Sequence, residues 1–518
     1  MELTTKDIIF LSAVCIGYIV FVGHRSRAHS PPPGPRRLPV LGSLLDVPQT
    51  YPWLTFSKWA RKYGEIVYFE VLGRPFVVLN SAKAAKALLD ERSFIYSERP
   101  RFEMANLSGY DRTFVLQPYN NTWRQQRKMV AQELAPRILA RYHAFQEAEA
   151  RALVRSVVED PDNLQRLVKL RIGAIIIRIA YGHYISSDED SFLKLGIATM
   201  QNFDRAVAPG AWLVDIIPSL KYLPKWLPGT GFFTLAEQWR NQAQTAAWEP
   251  YRWAKEHSES GTALLPNLCA NALAGMGEDP SHAHQEQLVW SASTMMAGGM
   301  DSSVISSLNF ILEMMLHPKI QAKAQEEIDT VVGRSRLPAI PDKASLPYVR
   351  SVITEVLRLN PAIPLGIPHS LRRDDIYEGM YLPKGSVVTP NIWNMLHDPD
   401  VFPNPMEFNP DRYQNLDSEM EKVTEVIFGF GRRLCPGKLF AEGTIFALVA
   451  TTLATCDVLP AVDAEGNESP TNVTFSSGVF SSPSEFKCIF KYRSEHSREM
   501  LYNVLPGNAI DIGPPEGI

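Results

Sequence analysis

The chain predicts a mainly α fold with small β-sheets, preceded by one N-terminal transmembrane helix. Three observations predict it. The pattern is largely helical after residue 81. Residues 65–80 read as two short strands around Gly73-Arg74, EIVYFEVLG and then PFVVLN, rich in β-branched and aromatic residues. Ile8 to Gly23 is an apolar run, IIFLSAVCIGYIVFVG, and no Gly/Ser linker, low-complexity tract or internal repeat divides the remainder of the chain. The 518 residues therefore fit one large catalytic domain behind an N-terminal appendage.

The apolar run is slightly short of the ~20 residues of a span, and Leu3 and its neighbours extend it. Basic residues come after it rather than before it: His24, Arg25, Arg27, then Arg36 and Arg37. A cleaved signal peptide has the reverse order. Positive charge after the span places the rest of the chain in the cytosol, and a buried core helix would set this run beside a proline cluster. The expected organisation is a membrane anchor over 1–24, a basic, proline-rich hinge over 25–37, the catalytic domain over 38–495 and a C-terminal tail over 496–518. Pro31-Pro32-Pro33-Gly34-Pro35 reads as a stiff, extended spacer. The sequons at Asn106, Asn120, Asn467 and Asn472 are expected to stay unglycosylated in a cytosolic domain.

Composition narrows the function. A net charge of -4 without a dense Lys/Arg block argues against nucleic acid as main partner. The five cysteines (Cys15, Cys269, Cys435, Cys456, Cys488) are odd in number and scattered, which argues against a disulfide framework and for a reducing compartment.

The chemistry concentrates in Phe428-Gly429-Phe430-Gly431-Arg432-Arg433-Leu434-Cys435-Pro436-Gly437, with an apolar run after it from Leu439 to Leu453. It reads as a glycine-opened loop presenting a thiolate at the start of a helix, where the helix N-terminus and the arginines are expected to lower the thiol's pKa. A lone thiolate without Cys or His at zinc-finger spacing suits an axial ligand to one iron. Cys435 alone would more often be a buried structural cysteine. The whole string resembles the haem-binding signature of the cytochrome P450 family, Phe-x-x-Gly-x-Arg-x-Cys-x-Gly. The resemblance implies that Cys435 is the proximal ligand of haem b and Arg433 pairs with a propionate. Phe428 would pack beside the sulfur, and Gly431 and Gly437 would let the loop and the next helix approach the porphyrin.

Four further stretches carry the resemblance. Trp123 and Arg127 share one helical face; a solvated basic side with one packed Trp is the plain reading, and the family's Trp-x-x-x-Arg pair on the propionates is the implied one. Residues 284–316 form a long helical candidate holding Ala297-Gly298-Gly299-Met300-Asp301-Ser302-Ser303. The two mid-helix glycines, each costing ~1 kcal/mol, suit close approach by something flat or reactive. A break between two helices with Asp301 as N-cap is the alternative. The string resembles the family's oxygen-activation motif, with Asp301 and Ser302 delivering protons. Serine replaces the usual threonine, which loses the methyl that restricts the rotamer. Glu355 and Arg358 can pair at i, i+3. With Arg412 from Phe408-Asn409-Pro410-Asp411-Arg412-Tyr413 they resemble the family's buried structural triad. His369, in Pro364-Leu365-Gly366-Ile367-Pro368-His369, is either an ordinary core histidine or, by position, a propionate contact.

Elsewhere, 98–118 reads as a loop, Leu382-Pro383-Lys384-Gly385 as a hairpin turn, and the tail from 457 as β-rich. The proline-broken apolar stretch 200–230 reads as core, lid or membrane-dipping patch. It resembles fungal microsomal secondary-metabolite members of the family, of the O-methylsterigmatocystin oxidoreductase type. The expected pocket walls are 99–117, 200–213, 292–301, 362–367 and 478–482.

The resemblance implies a cytochrome P450 fold and a haem-thiolate monooxygenase in the endoplasmic reticulum membrane. It would insert one atom of O2 into a hydrophobic terpenoid or aromatic/polyketide precursor. NADPH-derived electrons would come from NADPH–cytochrome P450 reductase, with cytochrome b5 as a second donor, docking on Arg127, Lys128, Arg432 and Lys438. A haem-thiolate isomerase or dehydratase, and a non-catalytic haem carrier or sensor, are the alternatives.

Overall fold

The computed structural model describes residues 29–208, 210–277, 280–461 and 472–502. The expected anchor, Cys15, the Asn467 sequon and the tail beyond 502 lie outside the described residues.

The paired strands are β1 (Ile66–Val71) and β2 (Arg74–Leu79), joined through Leu72 and Gly73, both at positive φ (49° and 80°). Such a two-residue turn matches the twist of the strands it joins. The helices that frame the site come in order: α1 (Glu103–Leu107), α2 (Asn121–Glu133), α3 (Pro136–Glu159), α4 (Leu164–Tyr181), α5 (Ser191–Ala206), α6 (Phe232–Glu259), α7 (His282–Leu316) and α8 (Pro347–Leu359). Then come β3 (His369–Ser370), β4 (Asp375–Tyr377), β5 (Met380–Leu382), β6 (Val387–Pro390), α9 (Asp417–Ile427), α10 (Lys438–Thr455), β7 (Cys456–Pro460), β8 (Cys488–Tyr492) and α11 (Glu495–Tyr502). The main sheet runs β1-β2-β6-β3, with β2 and β6 parallel and the other pairs antiparallel; β4-β5 and β7-β8 are separate hairpin-like pairs.

The fold is helical because its central helices are apolar nearly all round. α7 spans 35 residues and packs on α4, α2, α6 and α10. Its exposed Gly298 interrupts two buried stretches, Leu288–Met296 and Ser303–Met315. α10, apolar and long enough to cross a membrane, is instead a core helix with 78% of its residues buried, packed on α3. A helix hydrophobic on every side belongs inside a large domain as readily as in a bilayer.

Three expectations are corrected. The 98–118 segment is not an open loop: it holds α1 and a 3-10 turn at Tyr110–Arg112. Asp215 Oδ1 accepts from Met104 N (2.9 Å) and so caps α1 from 111 residues away, which no local pattern encodes. The hairpin turn is Glu378-Gly379, between β4 and β5, both residues at positive φ. Pro383–Ser386 instead links strands of two different sheets. The proline-rich segment is docked rather than a free spacer: Tyr68 N donates to Pro33 O (3.0 Å) and Tyr381 N to Ser30 O (2.8 Å).

Candidate active site

Cys435 lies between the end of α9 and the start of α10, and its N–H donates to Phe428 O (2.8 Å), which closes the loop. Gly437 N and Lys438 N point at the sulfur as the first amides of α10. Burial nevertheless pushes the free thiol up; those two amides, Arg127 and Lys438 pull it only part of the way back. The expected lowering by the helix N-terminus and an arginine is present, and burial outweighs it. Among the described residues no three His, Cys, Asp or Glu side chains gather as a metal cluster.

The loop is gripped from the chain's first third. Gly431 has φ +53°, and a Cβ there would lie 2.1 Å from Leu89 O and 3.0 Å from Ser93 Cβ. Its N–H donates to Asp90 Oδ1. Glycine at 431 is therefore required by the Leu89 backbone. Gly437 has an ordinary φ of -91°, and the nearest atoms to a Cβ there, Leu134 Cδ1 and Cys435 Sγ, are 3.8 and 3.9 Å away, so packing within the protein does not demand a glycine. Phe428 offers its carbonyl to Cys435 and its ring to Lys438 Nζ, 5.5 Å from the centroid.

On the α7 side of the loop stands a cluster of cations. Arg433 donates to Ser97 O (2.9 Å), Phe114 O (3.0 Å) and Gln117 O (2.6 Å), and lies 4.6 Å from the Trp123 ring centroid. Burial lowers it to about 9, partly offset by Glu98. Arg127 donates to Leu434 O and also covers Trp123. Arg99, missed in the sequence because a lone loop arginine carries no pattern, donates to Val115 O (2.9 Å), Ile367 O (2.6 Å) and Pro368 O (2.8 Å). Burial, Arg433 and Arg127 hold its guanidinium well below the usual range. His369, on β3, has Nδ1 2.8 Å from Tyr96 O, and burial, Arg99 and Arg433 depress its protonation. Trp123 Nε1 is buried without a partner.

Three guanidiniums, an imidazole and an orphaned indole N–H thus gather here, and among the described residues Glu98 is the carboxylate recorded against them, acting on Arg433. A buried surplus of donors is costly unless an acceptor completes it. The two propionates of a haem would complete it, and the Cys435 sulfur would hold the iron. The residues fit a haem.

Across the site, α7 runs unbroken through Asp301, so the capped-break alternative is removed. Ser302 Oγ donates to Gly298 O (3.0 Å), one turn back. Gly299 is small for a different reason from the one expected: a Cβ there would meet Ile176 Cδ1 of α4 at 2.8 Å, whereas nothing lies within 4 Å at Gly298. At Gly298 the helix backbone borders open space. Burial lifts Asp301 to about 6, Lys169 lowers it and Asp204 raises it.

One apolar cluster joins all five expected wall segments: Met104 and Phe203 are buried in it, and Ala297, Ile367, Val479 and Phe480, partly buried, pack against it. The triad is also assembled. Arg358 donates to both Glu355 oxygens (2.7 and 2.9 Å), and Arg412 Nε donates to Oε1 (3.0 Å). Tyr413 OH (2.6 Å) and Asn409 N (3.0 Å) add two donors that the motif does not announce.

A family model for Cytochrome P450 matches residues 32–490. The chain belongs to the cytochrome P450 family. It is similar to "Cytochrome P450 monooxygenase 105" of Postia placenta, 49% identical over 500 residues, 96% of this chain and 95% of that one. It is also similar to "Cytochrome P450 monooxygenase claR" of Ampulloclitocybe clavipes, 37% identical over 508 residues, 96% and 94% of the two chains. "Cytochrome P450 monooxygenase COX1" of Coprinopsis cinerea is 34% identical over 517 residues, 97% of this chain and all of that one. The protein is a fungal P450 and an oxidoreductase that works with haem-thiolate, O2 and NADPH-derived electrons supplied through a redox partner.

A haem held by Cys435 would supply the activation of dioxygen. The protein's own part is positional. Asp301, raised by burial to about 6, can take up and release a proton; the Ser302 hydroxyl sits on the Gly298 carbonyl one turn back; the apolar cluster offers a surface that would exclude water and orient a small-molecule substrate.

The expected docking patch needs correction. Arg127 turns inward, and Lys438 lies over Phe428 with Nζ 3.5 Å from Thr424 O. Lys128 and Arg432 remain exposed. Arg432 also sits in a surface ladder with Phe94 (5.6 Å) and Tyr119 (5.2 Å), flanked by Arg372 over Phe94 (5.7 Å) and Arg124 over Tyr119 (4.8 Å).

Proposed function

We propose that this P450 is a single-pass endoplasmic reticulum enzyme with a cytosolic catalytic domain. It hydroxylates or otherwise oxidises a hydrophobic terpenoid or aromatic/polyketide precursor in fungal secondary metabolism. The observation that carries the substrate class is the apolar cluster joining all five wall segments. Membrane attachment is supported by exposed apolar side chains: Val40 (80%) and Leu45 (76%) near the chain start, and Leu213 (68%), Tyr222 (80%) and Trp226 (79%) beyond α5. Leu44 and Ile216 pack against one small core cluster, so these two regions share a side of the molecule. Electrons come from NADPH–cytochrome P450 reductase, with cytochrome b5 as a second donor, and the Arg124–Arg432–Arg372 ladder offers an acidic partner charge and stacking surface.

The test is turnover of a terpenoid and aromatic panel by membranes containing the protein and the reductase under 18O2. A product carrying one labelled oxygen, dependent on NADPH, is the expected result. Conversion without NADPH or O2 would instead establish the isomerase or dehydratase reading, which Ser302 in place of threonine keeps in play. Haem reduction without any conversion would establish a carrier.

A further inference from the structure

The wall segments of the pocket hold four acids: Glu103, Asp111, Asp204 and Asp301. Glu103 is paired with Arg101 (2.7 Å) and Lys221 (3.1 Å). Asp111 is at the surface. Asp301 belongs to the proton path. Asp204, near the end of α5, remains.

Its setting is built. Oδ1 accepts from Val479 N (3.0 Å), and Phe480 N also points at the carboxylate. A Cβ on Gly478 would fall 2.7 Å from Oδ2 and 3.0 Å from Oδ1, so glycine is what lets the tail turn close on the acid. The turn gripped in this way carries Val479 and Phe480 into the same apolar cluster as Phe203, Met200 and Ala297. The Asp204 charge raises Asp301, and the turn that Asp204 grips packs on the same apolar cluster as Ala297, four residues before Asp301. The backbone amides leave acceptor capacity on Asp204, and no side-chain donor fills it among the described residues.

We propose that Asp204 is a specificity-determining residue: the substrate is an apolar skeleton carrying a hydroxyl that donates to Asp204, at the end remote from the carbon that is oxidised. A neutral donor fits better than an ammonium. Arg205, at the surface, and Lys169 pull Asp204 and Asp301 down only in part, since burial outweighs them, and a neutral donor completes Asp204 without taking an ammonium out of water. The consequence for the reaction sequence is that an earlier hydroxylation or hydration step supplies this substrate. The inference rests on the apolar-pocket reading above and deepens it.

The experiment uses the haem-loaded protein and three probes of one skeleton: farnesol, farnesyl methyl ether, which accepts but cannot donate, and farnesene. Binding is followed by the ferric Soret shift. The wild type is expected to bind farnesol about 10-fold or more tightly than the ether, the range for a hydrogen bond to a charged acceptor. Asp204→Asn keeps an oxygen for the Val479 and Phe480 amides but offers N–H groups to the ligand. Its preference for the alcohol over the ether should fall to about 1. Equal binding of all three probes by the wild type overturns the anchor while leaving an apolar pocket. Absence of binding by all three overturns the anchor and the pocket reading together. A third result also overturns the proposal: Asp204→Ala weakens all three probes alike while Asp204→Asn keeps the alcohol preference, which makes Asp204 a clasp for the tail turn only.

Discussion

Glu355, in the layer that supports the Cys435 loop, accepts from five donors on four residues, and Arg358 directs its remaining N–H groups to the Leu396, Pro405 and Glu407 carbonyls. Asp204 and Asp301, on the opposite side, are also sheltered from water, but burial wins over their partners and raises both. In Glu355 the partners win and the carboxyl is held below its usual range despite burial. The same residue chemistry thus has two uses. Where buried charge is saturated, it fixes the scaffold. Where it is left short of partners, it stays free to exchange a proton or to meet a ligand.

The comparison breaks most visibly at its saturated end. Glu355→Ala leaves Arg358 buried without its counter-charge, an expected loss of about 3–5 kcal/mol. Haem incorporation and thermal unfolding should both collapse; a folded, haem-loaded variant of normal stability would show that the triad is not structural. At the unsaturated end, Asp301→Asn should leave folding and haem content intact and lower kcat about 10²-fold. Ser302→Thr, which restores the restricted rotamer, should raise product formed per NADPH oxidised. Equal kcat in Asp301→Asn would remove Asp301 from proton delivery.

A fourth carboxylate sharpens the contrast through pH. Asp215 caps α1 and is raised by burial to about 6, against 3.8 ordinarily. A raised folded pKa means its contribution to stability is fully present below about pH 4 and is lost as pH rises through about 6. Asp215→Asn keeps the cap without the charge. Its stability relative to the wild type should therefore climb between pH 4 and 6 by roughly 1–3 kcal/mol, read from urea unfolding at each pH. Parallel curves would contradict the assignment. The smallest effect is expected at the surface: Arg432→Glu should slow reduction by the reductase several-fold at low salt, with the difference fading as salt rises. A salt-independent rate would place the docking surface elsewhere.

How legible each feature is in the sequence depends on how it is encoded. Cys435, Arg433, Trp123, Arg127, Asp301, Ser302, Glu355, Arg358 and Arg412 sit in short strings whose spacing is their signal; the structure gathers Arg433, Arg127 and Trp123 beside the Cys435 loop and Glu355, Arg358 and Arg412 in a buried network of their own. Residues recruited from a distance are not legible. α1 depends on an acid 111 residues on, Arg99 and Tyr413 act from segments without periodicity, and Gly431 answers to the Leu89 carbonyl. Two turn sequences of similar composition, at Gly379 and Gly385, differ only in whether the flanking strands share a sheet. The thiol's raised pKa escapes the sequence because adjacent arginines are visible there and desolvation is not.

The most direct measurement is the difference spectrum of the reduced protein under carbon monoxide. Wild type should show the red-shifted Soret band of a thiolate-bound haem, and Cys435→Ala should lose it altogether. A wild type with the band of a nitrogen-ligated haem, or a thiolate band that survives Cys435→Ala, would contradict the account.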